Sequence, residues 1–176
     1  SEKLMRLYRI HNHSEMADAV DTLVEYYGGY CDSYNSGFEM NGWIIPSRWS
    51  IEEAYIEMCR DSRAIERIQP SLQSLFVWPF STSIDKFIDK RELEERICKS
   101  DSESRVFMFR PQYRHWEKQW GFSLTANEAN RLKEWKGELR VHINSSFSEE
   151  SMVQHVAGEI KPKNNFILVG HLDHPY

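Results

Sequence analysis

The chain has 176 residues, 40% of them hydrophobic and 28% charged, with a net charge of -5 at neutral pH. That length suits one ordinary core, or a core plus a small subdomain, and the composition is that of a soluble globular domain, remote from the polar, aromatic-poor signature of disorder. The negative balance argues against sequence-independent nucleic-acid binding, which needs a basic surface to displace counterions, and no apolar run approaches the ~20 residues that span a bilayer.

That balance points instead to a peptide or an amino-acid-derived small molecule as partner, and the first ten residues lack the hydrophobic centre of a signal peptide, so a cytoplasmic protein is expected. His11-Asn12-His13 alternates as metal ligands can, but just before a helix it is better read as a solvated turn offering caps. The helix follows. Met16, Val20, Leu23, Val24 and Tyr27 fall at i, i+4, i+7, i+8 and i+11, one face of an α-helix over Ser14–Tyr27, and Gly28 and Gly29 supply its exit.

Capping-box pairs predict three more short helices: Ser50 with Glu53 in "SIEEAYIEM", Asp89 with Glu92 in "DKRELEERI", and Thr125 with Glu128 in "TANEANRLKEW". Between them "GWIIP", "SLFVWPF", "RVFMFR", "WGFSL" and "ELRVHIN" read as strands, because aromatic and β-branched residues suit a pleated, half-buried surface. Cys31, Cys59 and Cys98 are odd in number and widely spaced, which predicts reduced, partly buried thiols rather than disulfides or a zinc knuckle. His142 and His155 read as sheet residues. Arg110, Tyr113, Arg114, His115, Trp116 and Trp120 gather cations and aromatics as a substrate pocket does, or as a core tryptophan with stacked arginine does; Arg110, Tyr113 and Trp116 are the substrate-binding candidates, with Trp43 beside them.

Towards the end, "SMVQHVAGEI" alternates as a half-exposed strand, "KPKNN" is a turn, and "FILV" is an apolar run suited to a strand covered on both faces. Ligands of α/β sheets bind beyond the carboxyl ends of strands, where His171, Asp173 and His174 stand. Imidazole nitrogen and carboxylate oxygen suit zinc, and Asp173 could bind the ion or orient a ligating histidine. No Gly-rich phosphate loop, Gly-x-Ser-x-Gly elbow or His-Glu-x-x-His helix occurs.

"NNFILVGHLDHP" resembles the strand and first metal motif of aminopeptidase-type zinc peptidases with two co-catalytic metals, and "VAGEIKPKN" is similar to the hairpin leading into it. "NGWIIPSRWSIEEAYI", "YRHWEKQWGFSLT" and "ELRVHINSSF" resemble the subdomain inserted ahead of that motif in a bacterial aminopeptidase-like family associated with polysaccharide-biosynthesis loci. The resemblance implies an α/β fold, a truncated zinc-aminopeptidase-like core with an inserted β-rich mixed subdomain. Its parts would be a core helix (1–29), the insert (30–147) and a core hairpin ending in the His-x-Asp-His motif (148–176). It also implies that His171 or His174 binds zinc and that catalytic Asp173 holds the ligand and tunes metal-bound water. An intact relative would use two zinc ions, with the further ligands downstream. On that expectation the chain is an N-terminal portion, inactive alone, whose residues 166–169 seek another chain and drive homo-oligomers. The alternative is a non-catalytic binding or interaction module on the same scaffold.

Overall fold

The computed structural model describes residues 14–27, 30–71, 73–101, 118–149 and 152–157. The chain divides into two compact units, one formed by Ser1–Arg48 with Phe147–Tyr176 and the other by the continuous stretch Trp49–Ser146.

In the first unit, α1 (Ser14–Tyr27) has the bounds that its apolar periodicity predicts and buries Ala19 and Val20. Strand β1 (Tyr30–Asn35) pairs antiparallel with β10 (Met152–Ala157), from Tyr30 opposite Ala157 to Asn35 opposite Met152. The two parts of the chain that make up this unit are thereby paired, and α1 contacts both strands. Strands β2 (Glu39–Met40) and β3 (Trp43–Ile44) form a hairpin whose loop, Asn41-Gly42, holds φ of 52 and 81°. Positive φ at both loop residues is the type I′ turn, whose twist matches that of the strands it joins.

The second unit is built on a four-stranded sheet whose order is β5 (Arg63–Ile68), β4 (Arg48–Arg60), β9 (Glu138–Ser148) and β6 (Ile84–Ile88). Strand β4 turns through Asp61 and Ser62, again with φ positive at both, into β5, and β6 lies antiparallel to β9. One face is apolar: Ala54, Ile56 and Met58 of β4 share a core with Leu139, Val141 and Ile143 of β9. That core takes in Phe76 from α2 (Gln73–Phe76), Leu93 from α3 (Lys90–Glu95), Phe122 from β8 (Phe122–Leu124) and Leu132 from α4 (Ala126–Glu134). A short β7 (Ile97–Lys99) runs parallel to β8. The architecture is mixed α/β with mostly antiparallel sheet.

Two of the three predicted capping-box sites start helices, Asp89 as an N-cap and Thr125 as the full box. Asp89 accepts from the Glu92 amide at 2.7 Å, and at α4 the bond from the Glu128 amide to Thr125 Oγ1 is answered by the Thr125 amide donating to Glu128 Oε2. Ser50 and Glu53 do not; they lie within β4. Ala54, Ile56 and Met58 alternate with Tyr55, Glu57 and Cys59, and a period of two decides for strand over the local capping pattern. "SLFVWPF" is also corrected, since Gln73–Phe76 is a single helical turn and only Val77 bridges to Phe122. "WGFSL" and "ELRVHIN" are strands as predicted, β8 and β9, whereas "RVFMFR", "FILV", Gly28 and Gly29 lie outside the described residues.

Close packing explains two glycines. A Cβ at Gly121 would stand 2.3 Å from the buried Trp78 ring, and one at Gly137 would stand 2.2 Å from the Cys59 carbonyl oxygen.

Candidate functional site

Strand alternation places the chemistry on the sheet face away from the core. With Leu139, Val141 and Ile143 turned inward, Arg140, His142 and Asn144 turn outward; with Ala54, Ile56 and Met58 inward, Glu53, Tyr55 and Glu57 turn outward beside them. Register then supplies partners from both flanks, Arg67 opposite Glu57 on β5 and Asp85 opposite His142 on β6.

Glu57 is only 3% exposed. Its burial is the work of its partners. Arg67 donates to Glu57 Oε1 from Nη2 at 2.6 Å and from Nε at 3.1 Å, while Arg140 Nη1 reaches Oε2 at 3.5 Å. Arg140 also grips Asp85 with both arms of its guanidinium, Nε to Oδ1 at 2.8 Å and Nη2 to Oδ2 at 2.7 Å, the planar fork that arginine offers a carboxylate. Asp85–Arg140–Glu57–Arg67 is therefore one alternating ladder across all four strands.

Tyr55 lies flat within it. The Arg67 guanidinium sits 3.9 Å from the ring centre, and the His142 ring stacks at 4.6 Å and 11° from the strand on the other side. His142 in turn has a carboxylate at each nitrogen, Asp85 Oδ2 3.4 Å from Nδ1 and Glu53 Oε2 3.9 Å from Nε2. At those distances the contacts are electrostatic rather than well-formed hydrogen bonds.

The ladder sets the proton affinities. The Arg140 hydrogen bonds hold the Asp85 carboxyl below the ordinary aspartate value, the Glu57 hydrogen bond raises the already high value of Arg67, and Asp85 does the same for Arg140. Burial pushes the Tyr55 phenol and the Cys59 thiol upward. Gln69 and Asn144 donate to Glu53 and Glu52, so each carboxylate of the face is already engaged. Such a surface can recognise a partner by shape and hydrogen bonding.

His171, Asp173 and His174, and also Arg110, Tyr113 and Trp116, fall outside the described residues, as do His11, His13, Arg114 and His115. Trp120 is described and buried in the core, with Lys86 at 5.5 Å and Arg96 at 5.3 Å from its ring. Sequence reading passed over Tyr55, Glu57, Arg67, Asp85 and Arg140. Arg140 could have been found beside His142 from the alternation of "ELRVHIN", which sets polar residues on one face of a strand whose other face is apolar.

Comparison with known proteins fits this architecture. A family profile described as "Domain of unknown function (DUF2172)" matches residues 48–146, more than half of the chain. A Clostridium acetobutylicum protein named "Putative polysaccharide biosynthesis protein with aminopeptidase-like domain" is 25% identical over 143 residues, 80% of this chain and 31% of that protein. The crystal structure of a "putative peptidase" from Clostridium acetobutylicum matches with a TM-score of 0.62 at 21% identity, covering 88% of this chain and 35% of that one. The chain thus spans about a third of the length of the relatives it matches, and it shares the fold of the corresponding part of the solved one.

Proposed function

Because this chain belongs to the family described as Domain of unknown function (DUF2172), which its residues 48–146 match, we propose that it is the N-terminal part of a zinc-dependent aminopeptidase-like hydrolase carrying that domain as an insertion. The observation that carries this reading is a coincidence of boundaries. The family match and the compact unit Trp49–Ser146 begin and end within a residue of each other, and the chain on either side is joined through β1 and β10. An insertion leaves that pattern. The hydrolase part of the reading draws on the name of the relative matched over 80% of the chain.

Among the described residues no group of three or more His, Cys, Asp or Glu could hold a metal ion. On this reading the zinc donors are His171 or His174, with Asp173 orienting the ligating imidazole, and the remaining ligands come from the rest of a protein as long as its relatives. Zinc, when bound, supplies an activated water. The substrate is a peptide with a free amino terminus, Arg110, Tyr113 and Trp116 select its side chain, and the 176-residue chain alone lacks hydrolytic activity. A cytoplasmic setting belongs to the proposal, supported by three free thiols, Cys31, Cys59 and Cys98. No described helix is long and apolar enough to cross a membrane.

The test is zinc content and hydrolysis of aminoacyl p-nitroanilides by the full-length gene product. The expected result is bound zinc and an activity that chelation abolishes and that Asp173→Asn lowers ~10–100-fold. Activity indifferent to chelation and to His171→Ala plus His174→Ala would overturn the zinc reading. A full-length protein with no hydrolysis would favour a binding module on the same scaffold, which the fully engaged face around Glu57 also suits.

A further inference from the structure

Helices α3 and α4 and strand β7 wall a cleft of about 270 Å³, a little under the ~300 Å³ at which pockets for drug-sized ligands begin. Leu93, Ile97 and Ala129 line its apolar part, and Lys90, Lys99 and Lys133 stand around it with the single carboxylate of Glu94.

The charge pattern is selective. Neighbouring cations on the same elements are paired, Arg91 with Glu95, Arg131 with Glu66, and Lys86 of β6 with Glu92. Among the described residues none of the three cleft lysines has a carboxylate within ion-pair reach. Lys90 Nζ instead donates to the Lys133 carbonyl at 2.6 Å, a bond that fixes the ammonium without neutralising it. A place at the end of α4 accounts for Lys133 through the helix dipole, but Lys99 is on a strand. In a chain of net charge -5, three uncompensated lysines around one cleft call for a ligand.

We propose that this cleft binds a phosphomonoester carried on a small, partly apolar body. Three ammoniums less Glu94 leave two positive charges, which a phosphomonoester at ~-1.5 to -2 near neutral pH balances and a carboxylate does not. Leu93, Ile97 and Ala129 offer the body of the ligand an apolar seat, so attachment of a ring to the phosphate strengthens binding.

The experiment is an amide chemical-shift titration of the full 176-residue chain at fixed ionic strength with phenyl phosphate, inorganic phosphate and benzoate. The expected result is saturable shifts at Ile97, Lys99 and Asn130, with phenyl phosphate binding tighter than phosphate and at least about tenfold tighter than benzoate. Lys99→Gln with Lys133→Gln should weaken phenyl phosphate at least about tenfold with the amide spectrum still dispersed. Should the double variant fail to fold, Lys99→Gln alone, an exposed side chain, should weaken it at least about threefold. No saturable shift in the cleft, equal binding of benzoate, or an equal loss in Lys136→Gln, a lysine outside the cleft lining, overturns the proposal.

Discussion

The two faces of the four-stranded sheet are shielded from water by different means. On one, Ala54, Ile56, Met58, Leu139, Val141 and Ile143 lie under helices and β8 in a continuous apolar core. On the other, Glu57 is nearly as inaccessible as Ile56, 3% against 0%, yet arginine side chains from the two neighbouring strands do the covering. Burial behind a packed core is collective, whereas burial under half-exposed arginines depends on a few charge-assisted hydrogen bonds that water can replace. Side-chain exposures of 44% for Arg67 and 36% for Arg140 leave them room to rehydrate.

The contrast predicts a ranking. Phe122→Ala, which empties a fully buried site tilted against Phe76 at 4.9 Å, should cost ~3–5 kcal/mol in urea unfolding. Gly121→Ala adds one methyl where the Trp78 ring already stands and should cost ~1–3 kcal/mol by overpacking. Glu57→Gln keeps the shape of the polar face and removes its central charge. With two rehydratable partners it should cost ~1–3 kcal/mol, less than Phe122→Ala, and a double-mutant cycle with Arg67→Met should recover most of that as coupling. If Glu57→Gln proves as costly as Phe122→Ala, the polar face is as cooperative as the core and the distinction fails.

How much of this could be read in advance follows the range of the interactions. Helix α1, the N-cap at Asp89 and the capping box at Thr125 rest on contacts within a few residues, and the structure has them. Strand β9 was legible because "ELRVHIN" alternates without interruption. Strand β4 was not. Its core-facing positions change parity between Ile51, which packs against the core, and Ala54, so the two-residue period breaks just where Ser50 and Glu53 imitate a helix start. The Asp85–Arg140–Glu57–Arg67 ladder was beyond reach for a different reason. Arg140 meets Asp85 and Glu57 across 55 and 83 residues of chain, and only the register of three separate strands brings them together.

The smallest expected effect probes the outer rung of that ladder. Arg140 holds the folded-state affinity of Asp85 for protons below its ordinary value of 3.8, so the interaction contributes stability above that pH and loses it as pH falls through the lower, folded-state value. With an Asp85 side chain 44% exposed, solvent screens the pair, and Asp85→Asn should cost under ~1 kcal/mol at neutral pH. The gap between Asp85→Asn and the parent in urea midpoint should therefore close on acidification well below 3.8, and narrow in high salt at neutral pH. Phe122→Ala should show neither dependence, because dispersion and apolar burial carry no charge to titrate or screen. A gap for Asp85→Asn that stays constant with pH and salt would mean that Asp85 acts through packing, and that the two faces of the sheet are held by the same kind of force.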